Sequence, residues 1–85
     1  MTRDEVAVRL RRFTSEGNTS ITFNCGYCGG YLLSSTIDDV IKNLDKWWIY
    51  LLYCPKCHRS FNKHSPPVSL IPTKFRNRKS KKGKI

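Results

Sequence analysis

The residues best suited to chemistry in this chain are four cysteines in two C-x-x-C pairs: Cys25 and Cys28 in CGYC, Cys54 and Cys57 in CPKC. Thiolate sulfur is soft and anionic, and four thiolates close a tetrahedron around one ion with no position left for water. Each C-x-x-C turn sets two sulfurs on one side of the ion and leaves its inner amides free to hydrogen-bond them. Gly29, directly after Cys28, and Pro55, inside the second pair, suit such turns. The reading is one structural Zn2+ held by Cys25, Cys28, Cys54 and Cys57. Two other uses of the same sulfurs stand beside it. CGYC alone matches a thioredoxin-type redox pair, but that motif opens a helix in a βαβ unit, and none is evident here. Iron can occupy the same four sulfurs, as in a rubredoxin; the basic charge and His58, where a glycine is preferred, weigh towards zinc.

A closed tetrathiolate site offers no open coordination position, so the metal is not expected to be catalytic. No Ser/His/Asp set, glycine-rich phosphate loop or paired-carboxylate pattern stands out. His58 and His64 read as surface residues, and the adjacent Asp38 and Asp39 as charges in the first turn of a helix. The sequence therefore reads as a protein without enzymatic activity.

These cysteines must be positioned by very little chain. With 85 residues the sequence makes one domain at most, close to the lower limit for a self-supporting core. Thr2 followed by Glu5 is a capping box, and Val6, Leu10 and Phe13 then repeat at helical spacing, with Gly17 as a stop. Ser20 to Asn24 reads as a short strand leading into Cys25. A second helix begins at Ser35 or Thr36, with Ile37, Val40, Ile41 and Leu44 as its apolar face. WWIYLLY, Trp47 to Tyr53, runs without alternation and reads as a strand buried on both faces. The expected fold is a small α+β zinc-stabilised domain. It has an N-terminal helix, a short antiparallel sheet and one helix between two C-x-x-C knuckles, followed by a disordered basic tail. Residues 1–64 form the zinc-binding domain with its helical arm, and 65–85 a proline-containing linker and tail.

Charge is unevenly placed. The formal net charge is +10. Thr73 to Ile85 contains seven Lys/Arg and no acid, whereas residues 1–72 hold nine Lys/Arg and all six acids. Attraction for a polyanion therefore concentrates in Lys74, Arg76, Arg78, Lys79, Lys81, Lys82 and Lys84, read as a nucleic-acid-binding or nuclear-import tail. The longest apolar run is too short to span a bilayer, and no membrane partner is expected. With no charged-then-apolar signal peptide at the start, a soluble protein in a reducing, intracellular setting is expected, where thiols favour metals over disulfides.

Taken together, FNCGYCGGYLL (Phe23 to Leu33), the Asp38-to-Leu44 spacing, WIY (Trp48 to Tyr50) and CPKCHRSFNK (Cys54 to Lys63) resemble one zinc domain of the papillomavirus E-six oncoprotein family. The likeness covers roughly Arg3 to Lys63, with a shorter gap between the pairs and sulfurs for one zinc domain instead of two. It implies a viral-type regulatory adaptor working in the nucleus and cytoplasm of a host cell. That adaptor would bind a host protein through a helical peptide held in a groove lined by Leu32, Leu33 and residues of WWIYLLY. The Val6, Leu10 and Phe13 arm either packs on the core or is presented to the partner, and a homodimer is one way to rebuild a two-domain groove. The alternative is a nucleic-acid-binding zinc ribbon whose basic tail contacts phosphates.

Overall fold

The computed structural model describes residues 1–74; the tail cations Arg76, Arg78, Lys79, Lys81, Lys82 and Lys84 lie outside the described residues. Helix α1, Arg3–Ser15, starts at the expected capping box. Thr2 Oγ1 accepts from the Glu5 amide at 3.2 Å, and the Glu5 carboxylate accepts from the Thr2 amide at 2.7 Å. Those bonds from Thr2 hold the Glu5 carboxyl below its ordinary pKa. The helix ends at Glu16, and Gly17 takes a φ of 91° to turn the chain.

Strand β1, Ser20–Cys25, is the centre of a three-stranded antiparallel sheet of order β2-β1-β3. Ile21, Phe23 and Cys25 alternate onto one buried face. Strand β2, Tyr31–Thr36, returns alongside it, pairing Ser20 with Thr36 and, across an irregularity, Asn24 with Tyr31. The Tyr31–Leu33 stretch after the first cysteine pair is thus half of a hairpin. Helix α2, Ile37–Lys42, follows at once, capped by Thr36 Oγ1 accepting from the Asp39 amide.

Trp47–Tyr53 is not a strand. Helix α3, Leu44–Trp48, continues into a 3-10 turn at Ile49–Leu51. The reason is visible in which residues turn inward. Trp48 and Leu51 are buried and Leu44, Trp47 and Leu52 pack against the core, a helical stripe. The outward residues, Ile49 and Tyr50, are also apolar and mask the period. One expected helix is therefore two, broken at Asn43, whose φ of −125° is not helical. Asp39 ties this corner together, accepting from Ser35 Oγ at 3.1 Å, Asn43 Nδ2 at 2.9 Å and Trp47 Nε1 at 3.0 Å.

The segment read as linker is the third strand. β3, Val68–Thr73, pairs along the whole of β1, from Val68 opposite Cys25 to Thr73 opposite Ser20. The prolines forbid helix, as expected, but Pro72 is tolerated because β3 lies at the edge of the sheet. Helices pack on the face carrying Ile21 and Phe23, and Val6, Leu10, Leu33, Ile37, Val40, Trp48, Leu51 and Val68 complete the core. The other face carries polar groups such as Thr22 and Ser34, whose hydroxyls meet at 2.7 Å. No helix among the described residues is long and apolar enough to cross a membrane.

Candidate metal centre

The sheet delivers the first pair of sulfurs and the helical corner delivers the second. Cys25 ends β1 on its buried face, and Cys28 lies in the turn to β2. Cys54 follows the 3-10 turn, with Cys57 three residues further on. The two loops are built alike. The Cys25 amide donates to the Gly30 carbonyl at 2.8 Å, and the Cys54 amide to the Arg59 carbonyl at 2.9 Å, each five residues on. The Gly29 amide donates to the Cys25 carbonyl at 2.9 Å, and the His58 amide to the Cys54 carbonyl at 2.7 Å. Both loops leave through a left-handed residue, Gly29 at φ 74° and His58 at φ 61°. His58 thus occupies the place where glycine is preferred; its Nδ1 lies 3.0 Å from the Tyr53 hydroxyl, away from a ligand role.

All four sulfurs lie within 4.8 Å of one another. Cys25 and Cys57 Sγ are 3.9 Å apart, and Cys28 and Cys54 Sγ are 3.5 Å apart. A tetrahedron of thiolates around zinc at ~2.3 Å has edges of about 3.8 Å, so these separations fit one ion and are far too long for disulfides. Inner amides point at the sulfurs: Tyr27 and Gly30 donate to Cys25 and Cys28, each at 3.3 Å, and Cys57 donates to Cys54 at 3.5 Å. Burial pushes the Cys25 thiol up, but the amides of Cys28 and Tyr27 and the neighbouring thiols outweigh it and bring it to about 7. Cys54 is also lowered, first by the Cys57 amide. At Cys28 the Gly30 amide pulls the other way, yet burial and the adjacent sulfurs push the thiol up to about 11. Crowded sulfurs cannot all ionise alone. A cation that takes the place of their protons resolves the conflict.

The glycines of CGYCGG are explained by contacts that no spacing rule reveals. A Cβ on Gly26 would overlap the Pro67 carbonyl oxygen and stand 3.0 Å from its carbon. The Gly26 amide also donates to that oxygen at 2.7 Å. A Cβ on Gly30 would meet Lys56 Cβ at 3.0 Å and Cys28 Sγ at 3.2 Å, because the second loop lies across the first. Gly26→Ala is therefore expected to push the Pro66–Val68 segment off the first loop and destabilise the fold by roughly 2–3 kcal/mol, as overpacking against backbone does. A urea titration of the metal-loaded protein checks this, and an unchanged midpoint would contradict the close packing.

The remaining sequence candidates divide. Val6, Leu10 and Leu33 are buried in the core, and Phe13 and Leu32 pack against it. α1 lays Val6 and Leu10 on the domain's own core, while Phe13 and Leu32 keep part of their surface in solvent. Lys74 is exposed at the end of β3. His64 is exposed as expected. Asp39 sits in the first turn of α2 as expected; sequence reasoning missed Gly26 and the corner that Asp39 ties together. It also missed an aromatic and basic cluster on the loops, where Arg59 and Phe61 approach Tyr27. The signal for that cluster was present: residues 46–85 contain no acid. No family model, curated protein or solved structure matches the chain.

Proposed function

We propose that the chain is a non-enzymatic adaptor, stabilised by one Zn2+ in a pair of zinc knuckles, that binds the helical segment of an acidic protein partner. Zinc is favoured because four crowded thiolates with amide donors make a closed, soft site. The observation that carries the binding role is a shallow depression of about 290 Å³ lined by Trp48, Ile49 and Leu52, with Arg3, Lys63, His64 and Asp45 around it. Ile49 is 64% exposed, an apolar side chain left in water beside two cations. Arg3 is paired with Asp45, while Lys63 has no ion pair among the described residues, so the rim is net positive. Apolar floor and cationic rim together suit an acidic amphipathic helix. The resemblance to the papillomavirus E-six family supports the same class of partner. Of the expected groove of Leu32, Leu33 and WWIYLLY, this reading keeps the WWIYLLY segment, because Leu33 is buried in the core. A nuclear and cytoplasmic host-cell setting belongs to this reading.

Titration calorimetry of the zinc-loaded protein with an acidic, leucine-containing helical peptide tests it. Ile49→Asp and Lys63→Glu are each expected to weaken binding about tenfold or more while the protein stays folded. Equal affinity for a basic peptide of the same apolar pattern, or variants that bind like the parent, would overturn the proposal.

A further inference from the structure

The two cysteine loops bring together side chains that the adaptor role does not use. Tyr27, inside CGYC, keeps 63% of its surface in solvent. The Arg59 guanidinium lies over its ring, 4.8 Å from the centroid, and the Phe61 ring stands 5.8 Å away. Beside them Tyr53, also exposed, meets His58 through its hydroxyl. Lys56 lies across the first loop against Gly30. Both loops are free of carboxylates, and the nearest acids in sequence are Glu16 and Asp38 for the first and Asp45 for the second.

We propose that Tyr27, Arg59 and Phe61 form a stacking platform for the bases of single-stranded nucleic acid. The inference goes beyond the adaptor reading and does not depend on it. Flat aromatic rings exposed among cations are costly for a surface that only has to stay soluble. An arginine already stacked on a tyrosine offers a second planar face to a base, and its charge reaches a neighbouring phosphate. Duplex nucleic acid fits this set poorly. Its bases are stacked internally, and the platform sits on two short turns with no helix or ribbon to enter a groove. A thiolate cluster with zinc carries a formal charge of −2, so Lys56 and Arg59 also offset that charge. The exposed Tyr27, with the half-buried Phe61 ring beside it, is not explained by charge balance. The ligand class is a single strand of RNA or DNA, recognised by base faces without a fixed sequence.

The test uses full-length, zinc-loaded protein and three fluorescein-labelled probes: a 12-nucleotide oligo(U), the matching oligo(dT), and a duplex of the same length. Anisotropy is followed at several salt concentrations. Both single strands are expected to bind more tightly than the duplex, and a gap between them shows whether the 2′-hydroxyl is read. Tyr27→Ala is expected to weaken single-strand binding about tenfold, with Tyr27→Phe close to the parent. The salt slope should stay nearly constant in Tyr27→Ala, since no phosphate contact is lost, and become shallower in Arg59→Ala. Photocrosslinking to 5-iodouracil-substituted oligo(U) should map adducts to Tyr27 or Phe61. Tyr27→Ala binding like the parent, adducts confined to other residues, or equal affinity for the duplex would each overturn the proposal. So would an acidic peptide, rather than an oligonucleotide, as the ligand whose affinity falls in Tyr27→Ala. Circular dichroism and zinc content of each variant separate lost stacking from lost folding.

Discussion

Cys54→Ser should leave a chain that neither retains a metal ion nor unfolds cooperatively. Cys54 is buried, its amide anchors the second loop to Arg59, and its sulfur faces Cys28 at 3.5 Å. A small core of this kind supplies only ~3–5 kcal/mol beyond its conformational cost. Structural zinc in thiolate sites is worth on the order of 10 kcal/mol in apparent binding energy, so folding and metal binding become one equilibrium. Losing one ligand takes most of that away, and the three sulfurs that remain, Cys25 among them buried, have no cation to share. The same collapse is expected in the parent protein when a strong chelator removes the ion. Cobalt substitution provides the direct reading: the parent should show the visible bands of a tetrahedral thiolate site, and Cys54→Ser should not. A Cys54→Ser protein that keeps one equivalent of metal and a native circular-dichroism spectrum would remove this residue from the ligand set.

A chain ending at His64 should also fail to fold, even with all four cysteines present. Such a chain loses β3, and with it one whole side of β1, the central strand. The buried Pro66 and Val68 disappear, and Leu70 no longer packs on the core. Burial of Val68 accounts for roughly 1.5–3 kcal/mol, and the partly buried Leu70 for somewhat less. Each ladder hydrogen bond left unmade on a covered strand adds about 1 kcal/mol. Gly26 loses its bond to Pro67, and the Met1 ammonium loses Ser65 Oγ at 3.0 Å and the Pro66 carbonyl at 2.8 Å. The sum exceeds what so small a domain holds in reserve. A chain ending at Lys74 keeps every one of these contacts and is the control. If the shorter chain gave the same proton-detected amide spectrum and the same metal affinity as the control, the sheet would not need its third strand.

These two expectations locate the stability of the molecule at one end of the sheet. There Cys25 lies opposite Val68, Gly26 is bonded to Pro67, and Lys56 crosses Gly30. The four cysteines and the third strand are neighbours, so loss of either loosens the other. The proposed peptide and nucleic-acid surfaces both depend on this end being closed. Trp48 Nε1 donates to the Lys63 carbonyl at 2.6 Å, which fixes the chain just beyond the second loop, and the Phe61 amide donates to the Leu52 carbonyl at 2.7 Å.

Local chemistry made much of this protein legible without coordinates. The α1 capping box, the stop at Gly17, the strand into Cys25 and the Thr36 cap depend on residues within one or two turns of each other, and they form as read. The four cysteines were legible for a similar reason: a C-x-x-C turn is local, and pairing two of them needs only that the chain between them returns. Other features required the tertiary structure because their cause lies far along the chain. Trp47 to Leu51 is helical because the core beneath α1 and β1 selects Trp48 and Leu51, a choice hidden by apolar residues on the outer side. Val68–Thr73 is a strand because β1 has a free edge waiting more than forty residues earlier, a pairing masked by the surrounding prolines despite the β-branched Val68, Ile71 and Thr73. Val6, Leu10 and Leu33 read equally well as core or as binding face, since an apolar stripe does not say what covers it; the domain's own core does. Gly26 is needed for the room Pro67 takes, not for its own backbone angle, and only the folded chain brings the two together.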